Sequence, residues 1–223
     1  LALRAILLTN LVMVLRASAS ASSQPLRYAE DRAPAIINPI FATSMSEARI
    51  NELIFEGLFT DDQELRVQPQ LAKRFVLAQD KLSMTIHLRE DVKWHDGHAF
   101  TSEDVRFTID AMRNEKTAST ESGRVQWIKD VKVQGPHTLT VTFKDQEFAP
   151  FERLQFKIMP AHMFRGDTIS RTNKFRSHPV GTGPMMFDTY NTDNSISLRK
   201  FPEHYGSTRL NNIVMREVSD KNY

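Results

Sequence analysis

Residues 82–90, LSMTIHLRE, alternate strictly: Leu82, Met84, Ile86 and Leu88 fall on one side, and Ser83, Thr85, His87 and Arg89 on the other. That period of two predicts a half-buried strand. From Val105 the period lengthens. Val105, Ile109 and Met112, with Phe107 and Ala111 beside them, predict a helix whose apolar side runs to Asn114. Between these elements lies KWHDGHAFTSEDV (93–105). Trp94 reads as a large apolar anchor ending an extended segment. Asp96-Gly97 reads as a turn dipeptide. Thr101 with Asp104 fits a capping box, with Glu103 and Asp104 complementing the helix dipole in the first turn. Every conspicuous residue of the run has a structural role on this reading.

The same patterns divide the rest of the chain. LRYAE (26–30) predicts a first strand, followed by a loop carrying two prolines. Ser44 or Ser46 caps a predicted helix to about Glu56, buried through Ile50, Leu53, Ile54 and Phe55, with Gly57 as its stop. Residues 58–65 predict a short strand and turn. Pro69 precedes a predicted helical turn bearing Leu71, Ala72 and Phe75. Residues 125–143 predict a hairpin joined at Gly135-Pro136, with Val131 and Val133 on one arm and Leu139, Val141 and Phe143 on the other. Short helices are expected after Pro150 and Pro160. RSHPVGTGPMMF (176–187) interrupts all periodicity and marks the best domain boundary. Three strands follow, through Met186–Tyr190, 195–201 and 211–218.

Composition narrows the function. Hydrophobic residues are 40% and charged residues 25% of the 223, an ordinary globular balance. Net charge is +2, from 29 basic and 27 acidic residues, so there is no electrostatic case for nucleic acid. With no cysteine, thiol catalysis, iron–sulfur clusters, disulfides and a lipid-anchored N-terminal cysteine are all excluded. At the start, Arg4 precedes an apolar stretch from Ala5 to Leu15, which Arg16 closes. Small-x-small sites at Ala17-Ser18-Ala19 and Ala19-Ser20-Ala21 follow. The pattern predicts a secretory signal peptide over residues 1–21. The stretch is far shorter than the roughly 20 residues that span a bilayer. A soluble periplasmic protein is expected.

Candidate chemistry is sparse. His95 and His98, with Asp96 between them and His87 upstream, offer the enzyme reading, an exported metal-dependent hydrolase. Gly97 between the histidines favours a turn over a rigid platform, and a metal site needs three or four convergent ligands. No metal and no cofactor are expected. The paired acids Asp61-Asp62, Glu90-Asp91 and Glu103-Asp104 read as solvated or capping groups, not acid–base machinery. Gly181-Thr182-Gly183-Pro184 lacks the spacing of a phosphate loop and reads as a strand-entry turn.

Four segments together resemble the periplasmic solute-binding proteins of peptide- and nickel-type ABC transporters (extracellular solute-binding protein family 5). They are NPI with LIFEGL (53–58), QLAKRF with MTIHLREDVKWHDGHAFTSEDVRFTI (84–109), HPVGTGPMMF, and LRKFPEHYG (198–206). They come in the family's order over most of residues 27 to 218. The resemblance implies a mixed α/β fold: a periplasmic-binding-protein type II-like lobe built from residues 22–43 and 180–223, with a small α+β domain inserted over 44–179. Trp94, Asp96, Gly97, Thr101 and Asp104 are then structural. It implies no catalysis and binding of a peptide or similar small solute delivered to permease subunits, the chain being a monomer. Thr43, Ser44 and Met45 are the implied ligand contacts, pairing with a peptide backbone as an edge strand does, and Gly181, Thr182 and Gly183 lie beside the cleft. Family members are much longer. On this reading the chain is a fragment or truncated gene product whose second lobe is missing, and a truncated interaction domain that binds no solute is the remaining alternative.

Overall fold

The computed structural model describes residues 24–218; the expected signal peptide lies outside them. The pattern-bearing segments assemble into a mixed α/β fold with two four-stranded sheets. In the first sheet the order is β1-β10-β9-β8, formed by β1 (Leu26–Glu30), β8 (Met185–Tyr190), β9 (Ser195–Lys200) and β10 (Asn212–Glu217). The outer pair β1 and β10 runs parallel, with Leu26 opposite Ile213 and Glu30 opposite Glu217. The other neighbours are antiparallel. The second sheet is wholly antiparallel, in the order β4-β5-β7-β6, from β4 (Ala72–Leu77), β5 (Ser83–Leu88), β6 (Ile128–Gly135) and β7 (Thr138–Phe143). A small ribbon pairs β2 (Phe59–Asp61) with β3 (Val67–Pro69).

The alternation at 82–90 translates directly into burial: Met84, Ile86 and Leu88 are buried, facing Val141 and Leu139 of β7 in register. Helix α2 (Ser102–Arg113) buries Val105, Ile109, Ala111 and Met112 and packs against β6. Its capping box forms as expected, Asp104 Oδ2 accepting from the Thr101 N–H at 2.9 Å. Helix α1 (Met45–Ile54) starts at Ser44, whose side chain accepts from the Glu47 N–H, while Glu47 reaches back to complete a second capping box. A one-turn α3 (Pro150–Arg153) and 3-10 turns such as 161–164 complete the connections. A continuous apolar core joins the elements, and Phe107, Phe164, Phe175 and Phe55 form an aromatic chain from α2 to the end of α1.

Two expectations are corrected. Leu71, Ala72 and Phe75 do not lie on a helical turn. Their segment is β4, because pairing with β5 satisfies its backbone, and half-exposed Phe75 packs on Phe59 and Phe151 instead. Gly57 is not the glycine that stops α1, which ends at Ile54 with Phe55 already extended. Gly57 bridges Lys157, and a Cβ there would stand 2.7 Å from the Gln155 carbonyl oxygen, so close backbone approach is its reason. Helix α1 packs on β8, and its Arg49 pairs with Glu30 of β1.

Candidate functional site

The 93–105 run folds as a clasp. Trp94 is completely buried, edge-on to Phe100, and its indole N–H donates to Asp104 Oδ2 at 3.3 Å. Asp104 also accepts from the Ala161 N–H at 2.9 Å, so one carboxylate ties the turn, the helix start and the 161–164 segment together. Burial dominates its environment and raises its pKa, although the hydrogen bonds it accepts oppose the shift. Gly97 takes φ +89° and its N–H donates to the Trp94 carbonyl, closing the Asp96-Gly97 turn as the dipeptide predicts.

His95 grips the glycine loop 86 residues downstream. The Gly181 N–H donates to Nδ1 at 3.2 Å, so Nε2 carries the proton and donates to the Gly183 carbonyl at 2.9 Å. The backbone repeats the connection, the His95 N–H donating to the Gly181 carbonyl at 2.8 Å. Gly181, Thr182 and Gly183 are all buried. The Gly183 N–H donates to the Ile54 carbonyl at the end of α1, and Cβ atoms at Gly181 and Gly183 would stand 1.8 and 2.5 Å from carbonyl oxygens of Ile54 and Leu53. Gly181 and Gly183 dock α1, and none of the three residues lines the groove described below.

Burial is the main cause that lowers the His95 pKa from 6.5 to about 4. The unfolded chain takes up this proton near pH 6.5 while the native ring stays neutral down to about pH 4. Protons therefore bind the unfolded state preferentially in that window, and stability falls as pH drops through it. The loss is at most about 3 kcal/mol. His95→Gln, which keeps an N–H for Gly183 but does not titrate, is expected to flatten this part of the stability curve. Urea midpoints across the window check it; parallel curves for the two chains would contradict the assignment.

The open surface lies elsewhere. A groove of about 620 Å³ runs between the C-terminal end of β1 and the start of α1, lined by Glu30, Asp31, Arg32, Ser44, Met45, Ser46 and Arg49. Arg49 donates to both oxygens of Glu30, at 3.0 and 2.8 Å. The groove sits off the carboxyl ends of the parallel pair β1 and β10, where open α/β sheets characteristically take ligands. Ser44 and Met45 line it, and Met45 is 65% exposed. The N–H groups of Thr43 and Ser44 are occupied, both donating to Glu47 Oε2, at 2.7 and 3.2 Å. Segment 42–44 forms no strand. The capping box thus holds these two donors inside the chain.

The chain matches the model of the bacterial extracellular solute-binding proteins, family 5, middle region, over residues 66–223. It belongs to family 5 of the extracellular solute-binding proteins. The glutathione-binding protein GsiB of Salmonella typhi is 28% identical over 189 residues, covering 83% of this chain and 36% of the relative. A Brucella ovis protein provisionally named an ABC transporter peptide-binding protein is 30% identical, over 74% of this chain and 32% of its own. Among solved structures, NikZ from Campylobacter jejuni in complex with Ni(L-His) superposes with TM-score 0.79 at 27% identity, covering 87% of this chain and 39% of that one. The oligopeptide-binding protein AppA of Bacillus subtilis shares the fold at TM-score 0.82 and 22% identity, over 88% and 40%. The chain spans about a third of the length of the curated relatives it matches. The family model and these relatives are named for solute binding, and the hydrolase alternative has no support among them. Among the described residues, no helix is long and apolar enough to cross a membrane.

Sequence reasoning missed two partners. Glu47 had a signal, since Ser44-x-x-Glu47 is a capping box spacing. The contact of His95 with Gly181 and Gly183 had none in a single sequence.

Proposed function

We propose that this chain supplies one wall of a solute-binding cleft outside the cytoplasm, serving an ABC transporter that carries peptides or a similar small solute. The observation that carries the reading is the coincidence of the open groove at the β1 and α1 termini with Ser44 and Met45. In domain terms, residues 22–43 and 180–223 belong to the lobe and 44–179 to an inserted unit, and the groove lies where α1 of that unit docks back on β1 of the lobe. Met45 offers an apolar contact to a solute, and the charged groups of the rim, Arg32 and the Arg49–Glu30 pair among them, offer polar ones. The joint of His95 with Gly181–Gly183 holds α1, and with it the rim, at a fixed height over the sheet. Transport involves no bond chemistry on this reading: the solute is bound, then released to permease subunits.

A wall without an opposing surface buries little of its ligand, so binding by this chain alone is expected to be weak, with Kd of roughly a millimolar. Calorimetric titration with a pool of di- to pentapeptides tests it. Met45→Glu is expected to weaken that binding by about tenfold through an apolar contact replaced by a charge. Binding unaffected by Met45→Glu would remove the groove from the account.

A further inference from the structure

We propose that Asp96, His98 and His162 form a binding site for one divalent transition-metal ion of the zinc type. The site is separate from the groove and does not depend on the transport reading. Single-sequence reasoning grouped His95 with His98 and expected no metal. The fold removes His95 to the glycine loop and brings in His162, 66 residues from Asp96. One ligand atom from each of Asp96, His98 and His162 lies within 4.8 Å of the others. Asp96 Oδ2 is 2.7 Å from His162 Nε2, and Asp96 Oδ1 is 3.2 Å from His98 Nδ1. The two imidazoles stack with centroids 4.1 Å apart, both turned to the same carboxylate.

The donors sit on a braced frame. The Gly97 turn fixes Asp96 and His98, with the His98 N–H donating to Asp96 Oδ1 and the Trp94 N–H to the His98 carbonyl. On the other side, Ala161 is tied to Asp104, and the His162 ring lies edge-on to buried Trp94. Two imidazoles and one carboxylate are a donor set that zinc accepts, with water completing its coordination. The His98 side chain is 62% exposed, which leaves that face open to water. A bound ion clamps the turn to the 161–164 segment and so stabilises the native state by mass action.

The test uses the full, untagged chain, stripped with chelator and titrated with zinc chloride at mildly alkaline pH, where imidazole is neutral. Binding of one equivalent, with a Tm rise that saturates at that ratio, is expected. His98→Ala and His162→Ala should each weaken it by roughly tenfold or more. His137→Ala should leave it unchanged, and magnesium, which prefers oxygen ligands, should not compete. Exposed His98 makes the first variant safe for folding, and circular dichroism checks the second. No zinc binding, or stoichiometric binding that survives His98→Ala undiminished, overturns the proposal.

Discussion

Trp94→Ala is expected to destabilise the chain by about 3–5 kcal/mol. Trp94 has no solvent exposure, so its loss leaves a large cavity between Phe100 and His162. It also strips a donor from buried Asp104, the carboxylate that caps α2 and holds Ala161. Trp94→Phe weighs the two effects: it keeps most of the apolar volume but loses the indole N–H and leaves a smaller cavity, at about 1–2 kcal/mol. Urea midpoints for the three chains check the ordering. Near-equal midpoints would mean that the 93–105 run is not the clasp described.

The second large effect is at the joint. Gly181→Ala sets a methyl group 1.8 Å from the Ile54 carbonyl oxygen and 2.7 Å from its carbonyl carbon. Both are helix backbone, so either the end of α1 or the glycine loop with its His95 bonds must move. The expected cost is about 3 kcal/mol or more, at the upper end of overpacking effects. Gly123→Ala is the internal control, since nothing lies within 4 Å of a Cβ there. Its stability should stay within about 0.5 kcal/mol of the parent chain. Thermal or urea unfolding reads both; a tolerated Gly181→Ala would show that α1 is not docked as described.

What the sequence discloses and what it hides divide along physical lines. Local periodicity is visible wherever a segment buries one face. The 82–90 alternation, the apolar side of α2, the hairpin and the three late strands all appear as their patterns require. So do the local devices, namely the Asp96-Gly97 turn and the Thr101–Asp104 box. The QLAKRF segment misleads because Leu71, Ala72 and Phe75 have helical spacing, while pairing with β5, a non-local term, decides the conformation. Non-local polar contacts leave no such trace. Nothing around His95 says that it closes on Gly181 and Gly183, and nothing around Asp96 points to His162. The groove is half legible: Ser44 and Met45 were placed at it through a family resemblance, but Glu30 and Arg49 join it only through the parallel pairing of β1 with β10 and the packing of α1.

The most direct test of the central claim, that solute meets this chain at the β1 and α1 termini, is residue-resolved amide mapping by NMR during titration with the peptide pool. The account predicts saturable shifts confined to Glu30–Arg32 and Thr43–Arg49, with the Asp96–His98 turn and the rest of the 93–105 clasp unmoved. Saturable shifts centred on the clasp or on the outer face of the second sheet, with the groove silent, would contradict it.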